Sequence, residues 1–273
     1  MPDREPQPLS ESPDDVWRAM QGVFTDIDDT ITDEGRVPAR VFSAMEALRA
    51  AGLLVIPITG RRAGVCDLIA RQWPVDAVVG GNGAFYYRYD SGARSMIRSY
   101  ADDEATRAAN RKRLEAICDE VLASVPGAAI AADQPFRIND LAIDFCEDVA
   151  PLGSGDVDRI VDIFRRHGAT AKVSSIHVNG WFGNNDKLTM TRQLMADEFG
   201  VDIEAHEARY VFVGDSPNDA PMFGYFSHSV GVANLKDFIG QCPDVPAWVT
   251  RGERDAGFVE LAERILVSRQ PRA

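Results

Sequence analysis

"VFTDIDDTIT", residues 23–32, opens with two apolar residues and then sets Asp26, Asp28 and Asp29 within four positions. Val23 and Phe24 read as the end of a buried strand. Carboxylates crowded at such a place resist ionising together unless something positive neutralises them. An acidic turn is one reading, since Asp is common in turns. A cation site with one carboxylate kept for chemistry is the other, and the rest of the chain must decide between them.

Outward from this stretch the pattern is regular. Residues 21–28 form a strand. "PARVFSAMEALRAAG" (38–52) has Pro at its start, helical apolar spacing and a Gly stop. "LLVIPITG" (53–60) is the near-continuous apolar run of a central parallel strand. A helix over 62–73 and the strand "DAVVGGNG" (76–83) complete an alternation that predicts a parallel sheet with helices on its faces. The rhythm changes at about residue 84. "AFYYRYD" and "ARSMIRSY" read as a hairpin, residues 101–127 as a long helix, and "FRINDLAIDFCE" (136–147) as strands. "DVDRIVDIFRRHG" (156–168) reads as an amphipathic helix and "TAKVSSIHVNGWFG" (170–183) as another strand. The first rhythm then returns: a helix from Lys187, the strand "RYVFVGD" (209–215), a short helix, the strand "SHSVGVAN" (227–234) and a last helix over 257–268. The expected organisation is α/β. A flexible tail (1–14) precedes a doubly wound, Rossmann-like parallel-sheet domain (15–83 and 184–273), which an α+β domain (84–183) interrupts.

The 273 residues, 45% of them hydrophobic, suit one large or two smaller domains. A formal net charge of −13 argues against nucleic acid and against anionic membrane surfaces as partners. No apolar run reaches the roughly 18 residues of a membrane span. Cys66, Cys118, Cys146 and Cys242 fall in no paired spacing, and the polar, Pro-rich N-terminus is unlike a secretory signal. A cytoplasmic protein is expected. With so acidic a chain, an anionic substrate must be drawn by local positive groups or by a metal.

Ligands of open α/β sheets bind beyond the carboxyl ends of the strands. There the expected strands end in Asp26 and Asp28, in Thr59-Gly60-Arg61, and in "GDSPND" (214–219), with Asp215, Asn218 and Asp219; Lys187 opens a helix. Hard carboxylate oxygens suit Mg²⁺, while a hydroxyl and an ammonium suit phosphate. Four histidines in no metal spacing argue against a zinc site.

In this order, "DIDDT", "TGR", a lone Lys187 and "GDSPND" resemble the motifs of the haloacid dehalogenase-like (HAD) superfamily of phosphohydrolases. The large insertion, entered through "GGNGA" (80–84), resembles the α/β cap of the Cof-type and sucrose- or trehalose-phosphate phosphatase branch. That branch usually reads DxDGT. Asp29 stands where the Gly would be, and is expected to point away from phosphorus. The resemblance implies that Asp26 is the nucleophile, forming an aspartyl-phosphate, and that Asp28 is the general acid/base. It implies Mg²⁺ on the carboxylates of Asp26 and Asp215 and on the Asp28 carbonyl. Phosphate falls to Thr59, Gly60, Lys187 and Asn218, and Asp219 orients Lys187 or the metal's waters. The implied activity is a Mg²⁺-dependent phosphatase of small phosphomonoesters, sugar or glycosyl phosphates above all. A phosphomutase and a non-catalytic HAD-like binding protein are the alternatives.

The insertion and its hinge supply further candidates. Arg61 either serves the substrate or is a solvated loop residue. Asn82 touches either phosphate or hinge backbone. His177 and Asn179 alternate onto one face of their strand, with Ile176 and Val178 on the other; that polar face lies over the site or is merely exposed. Arg137 is a weaker candidate of the insertion, expected rather as a surface charge.

Overall fold

Buried, near-continuous apolar strands build the first of two units in the computed structural model, which describes residues 5–174 and 176–270. This unit holds the chain up to Gly60, Cys66–Ser99, and the chain from Asp186 on. Its main sheet runs, in spatial order, β1 (Gln7–Pro8), β13 (Trp248–Val249), β12 (Ser229–Gly231), β11 (Tyr210–Gly214), β2 (Gly22–Thr25) and β3 (Leu54–Pro57), numbered along the chain. Every adjacent pair is parallel. A parallel bridge between Ile58 and Val79 sets β4 (Val78–Gly80) beside β3. The order β4-β3-β2-β11-β12-β13 reverses between β2 and β11, so the crevice beyond the strands' carboxyl ends opens between those two.

All residues of β2 and β11 are buried, as a sheet covered on both faces requires. Phe24, Ile56 and Phe212 share one core with Met190 and Leu194 of α6 (Lys187–Phe199) and with Met222 and Phe223 of α8 (Ala220–Tyr225). Val23, on the opposite face of β2, is equally buried. α9 (Arg254–Ser268) packs on α1 (Asp14–Arg18) and α2 (Ala39–Ala50), while α7 (Ile203–His206) follows α6. No helix among the described residues is long and apolar enough to cross a membrane.

Two boundaries differ from expectation. Residues 5–14 are not a loose tail: β1 pairs with β13, Leu9 is buried, and the Trp17 indole donates to buried Ser12 Oγ at 2.7 Å. Residues 1–4 of the expected tail lie outside the described residues. The hairpin of β5 (Phe85–Asp90) and β6 (Ser95–Tyr100) hydrogen-bonds to β4, and Tyr86 enters the core of the first unit. The second unit therefore begins at Tyr100 rather than at residue 84, ends at Asn185, and includes Arg61–Val65 from the first turn of α3 (Ala63–Gln72).

In the second unit, β7 (Ala129–Ile130), β8 (Asp140–Asp144), β10 (His177–Trp181) and β9 (Thr170–Val173) form an antiparallel sheet in that order. α4 (Glu104–Ser124) and α5 (Ser154–Arg166) cover one face, where Ile117, Val121, Ile160 and Phe164 pack on Leu141, Ile143 and Val178. A Cβ at Gly180 would lie 2.1 Å from the Phe164 ring, so only glycine fits there. The single strand expected over 170–183 is two strands. Ser174 turns the chain, donating its N–H to the His177 carbonyl at 2.8 Å and accepting the His177 N–H on its hydroxyl at 2.9 Å. Ser175 of that expected strand lies outside the described residues.

Candidate active site

Asp26 follows β2 directly, and its N–H donates to the carbonyl of Val213 in β11 at 2.9 Å. This bond seats it at the crevice. Asp215 follows β11. The polar residues of "GDSPND" have a local reason to be where they are. Ser216 caps a short 3₁₀ turn, Pro217 stands at its first position, and Asp219 closes a capping box with Ser216. Asp219 Oδ2 accepts the N–H groups of Asp215 (3.1 Å) and Ser216 (3.3 Å). A Cβ at Gly214 would lie 2.4 Å from that same oxygen, so the strand end must be glycine for Asp219 to fold back on it.

Lys187 is the first residue of α6. Asp186 caps that helix by accepting the Thr189 N–H at 2.8 Å. The turn after β4 fixes where the helix begins. Gly83 has φ +97°, and a Cβ there would lie 1.9 Å from the Asp186 carbonyl oxygen. From this position Lys187 Nζ reaches Asp26 Oδ1 at 2.6 Å and Asp219 Oδ1 at 2.7 Å.

Carboxylate oxygens of Asp26, Asp215 and Asp219 lie within 4.8 Å of one another, and all three residues are buried. Burial lifts the Asp26 carboxyl well above the usual range, and Lys187 opposes the lift. Asp215 is pushed up to about 7, by burial first and then by Asp219 and Asp29; a hydrogen bond from Thr30 Oγ1 (3.1 Å) and the Lys187 charge restrain it. Lys187 is held firmly protonated: burial works against its charge, and Asp219 and Asp26 outweigh that. Three buried carboxylates sharing one ammonium leave a deficit of positive charge, and this donor set fits a divalent cation of the Mg²⁺ type.

The other expected residues are placed as follows. Asp28 is exposed on the turn after β2, and its side chain is outside the buried carboxylate group. Asp29 has φ +55°, a left-handed backbone that Asp tolerates better than most residues, and its Oδ1 lies 3.3 Å from Arg254 Nε. Thr59 is buried where the chain leaves β3, with its N–H on the Val79 carbonyl at 2.9 Å. The Asn82 side chain lies over Gly60, 3.0 Å from where a Cβ would stand. Asn218 is exposed in the 3₁₀ turn.

Arg61, His177 and Asn179 belong to the second unit. Register puts His177, Asn179 and Trp181 on the face away from the helices, with Asp144, Ala142 and Asp140 opposite them. His177 is buried, its Nε2 2.9 Å from Glu147 Oε2 but not aligned as a hydrogen bond. Asn179 Oδ1 is buried without a hydrogen-bond partner. Arg137 is not the expected surface charge: its side chain is 10% exposed and bonds Asp133 at 2.8 and 2.9 Å. Sequence reasoning overlooked Thr30, which stood inside "DIDDT" with a hydroxyl suited to orient a neighbouring acid.

No protein-family model matches the sequence, and no curated protein matches it. Solved structures do. The C-terminal domain of trehalose-6-phosphate phosphatase from C. albicans superposes with a TM-score of 0.69 at 13% identity, covering 98% of this chain and 99% of that one. A haloacid dehalogenase-like hydrolase from Bacteroides thetaiotaomicron gives 0.67 at 13% identity, over 90% and 99%. A HAD subclass IIB sugar phosphatase gives 0.58 at 14% identity, over 89% and 98%. At such identities the likeness is one of fold: the chain has the α/β fold of the haloacid dehalogenase-like hydrolases, as its motifs led one to expect.

Proposed function

We propose that the protein is a Mg²⁺-dependent phosphohydrolase of small phosphomonoesters, sugar phosphates above all, working through an aspartyl-phosphate on Asp26. The observation that carries this reading is Lys187 Nζ seated between Asp26 and Asp219, beside Asp215, at the crevice between β2 and β11. Asp26 and Asp215, with the Asp28 carbonyl, are the assigned metal ligands. Asp219 is assigned to hold Lys187, because both its oxygens are already engaged. Bound Mg²⁺ would supply the missing positive charge and orient a phosphate oxygen.

In the first step a carboxylate oxygen of Asp26 attacks phosphorus while the bond to the leaving alcohol breaks, and Asp28 gives its proton to that alcohol's oxygen. In the second, water attacks the phosphorus of the aspartyl-phosphate, its proton passes to Asp28, and the bond to Asp26 breaks to release phosphate. The exposure of Asp28 suits a group that trades protons with solvent. Lys187, Thr59, Gly60 and Asn218 are assigned to the phosphoryl oxygens. Discrimination among alcohols is assigned to Asn179, whose buried Oδ1 lacks a partner, with His177, Asn82 and Arg61 as further candidates. The preference for sugars leans on the names of two structural neighbours, a trehalose-6-phosphate phosphatase and a sugar phosphatase.

The test is phosphate release from p-nitrophenyl phosphate and a panel of sugar phosphates, with Mg²⁺ and with EDTA. Release that needs Mg²⁺ and vanishes in Asp26→Asn is expected. Release that survives Asp26→Asn in a folded protein removes the covalent mechanism. Isomerisation of a sugar phosphate without free phosphate would make the protein a mutase.

A further inference from the structure

We infer that Asn234 is a positioning residue for the turn that carries Asp28, an inference that rests on the role assigned to Asp28 above. Asn234 lies just after β12, in a short 3₁₀ segment, Ala233–Asp237. Its Nδ2 donates to the Asp29 carbonyl at 3.0 Å, and its Oδ1 accepts the Arg254 N–H at 2.8 Å. One partner is a pure acceptor and the other a pure donor, so the amide has a single satisfactory orientation. Both backbones it grips are left-handed without being glycine: Asp29 has φ +55° and Arg254 φ +51°. L-residues seldom hold that conformation unless their surroundings impose it.

The turn is also held from within. The Ile27 carbonyl accepts the N–H groups of Thr30, Ile31 and Thr32 at 3.3, 3.0 and 3.2 Å, and Asp29 N–H donates to Thr32 Oγ1 at 2.9 Å. Those bonds close the turn but leave the Asp29 carbonyl pointing outward, where Asn234 takes it. Arg254 returns to the same turn with its side chain, donating from Nη1 to Asp33 at 2.9 Å. Asn234 thus fixes the peptide one residue beyond Asp28, and Thr30, one residue further on, carries the hydrogen bond to Asp215. The segments around Asn234 and Arg254 stay joined without its side chain, because Ala233 N–H donates to the Gly252 carbonyl at 3.1 Å. Removing the amide therefore loosens the turn without detaching it.

The experiment compares wild type, Asn234→Ala, Asp29→Gly and the double variant, reading kcat and KM on p-nitrophenyl phosphate and amide hydrogen exchange across residues 27–32. Asn234→Ala is expected to lower kcat about tenfold with KM within about twofold, since small misplacements of a proton-transfer group are felt in turnover. Exchange at Thr30–Thr32 should quicken. Glycine adopts positive φ without strain, so Asp29→Gly removes the need for the grip. It should keep its activity and suppress most of the Asn234→Ala defect. An unchanged kcat in Asn234→Ala, a loss of kcat with unchanged exchange, or independent effects in the double variant would each overturn the inference. If wild type releases phosphate from no ester, the phosphatase reading fails instead, and the exchange data still decide whether Asn234 orders the turn.

Discussion

Lys187 Nζ lies 2.6 Å from Asp26 Oδ1, with both residues more than nine-tenths buried. A buried ammonium is tolerable only when paired, and a buried carboxylate likewise. Lys187 is what allows Asp26 to stay charged out of water, while Lys187 itself has a further acid to hold it. Asp219 is the second carboxylate on the same ammonium, so losing Lys187 strands two acids at once, whereas losing the Asp26 charge strands none.

That asymmetry separates two substitutions. Asp26→Asn should abolish turnover yet leave urea unfolding nearly unchanged, because Lys187 keeps Asp219. Lys187→Met should abolish turnover and also cost about 3–5 kcal/mol in EDTA at pH 8, the usual penalty for breaking a buried pair from one side. Equal stabilities for the two variants would mean that the ion pair does not organise the crevice.

Stability of the metal-free protein should fall as pH rises. Asp215 goes from an ordinary 3.8 when unfolded to about 7 when folded, and Asp26 is raised as well. A raised acid favours folding fully below its unfolded pKa, and that contribution disappears as pH climbs through the folded value. Each pKa unit is worth about 1.4 kcal/mol. Lys187, raised from a value already above 10, adds no change in this range. Thermal unfolding in EDTA should therefore give a lower Tm at pH 8 than at pH 5, and Mg²⁺ should restore more at pH 8. A Tm that rises over this range in EDTA would show that the acids are not buried together.

Two glycines at the ends of α6, Gly83 packed against its start and Gly200 capping its end, should respond differently to alanine. Gly200, with φ +64°, has open space around it, so Gly200→Ala meets only backbone strain of about 1 kcal/mol and leaves kcat alone. Gly83→Ala drives a methyl into the Asp186 carbonyl and moves the helix start that carries Lys187. It should lower kcat at least tenfold, as a displacement of about 1 Å does elsewhere. Similar kcat values for both variants would separate the helix start from catalysis.

In the second unit, Asn179→Ala should lower kcat/KM for a preferred sugar phosphate by about 1–3 kcal/mol, with a much smaller loss on p-nitrophenyl phosphate, which has no hydroxyls to read. His177→Ala should lower kcat/KM for the same sugar phosphate and also lower stability, because the ring is buried beside Glu147. Equal losses on both substrates for Asn179→Ala would mark it as a fold residue.

The strand ends were readable because their chemistry is local. Asp26, "TGR" and "GDSPND" each join a hydrophobic run to a polar turn, and spacing alone lines them up along a sheet. The pairing of β1 with β13 was not readable, since two-residue strands have no periodicity. Nor was the allegiance of the β5–β6 hairpin, which rests on Tyr86 entering a core made from distant residues. Alternation put His177 and Asn179 on one face, but could not show that Glu147 stands beside the first while the second has an oxygen to spare. Asn234 had no motif to announce it. Its partners, Asp29 and Arg254, come from opposite ends of the chain.

The neighbours of β2 set an order of assembly. Gly22–Thr25 is made before either of its neighbours, Leu54–Pro57 on one flank and Tyr210–Val213 on the other. Until β11 emerges, half of this strand's ladder is unmade and Asp26 waits beside Lys187 or nothing. The stretch from Tyr100 to Asn185, whose sheet pairs only within itself, can meanwhile collapse on its own helices. Non-local pairing of this kind is slow. The first unit therefore keeps an apolar strand edge uncovered until β11 pairs with β2.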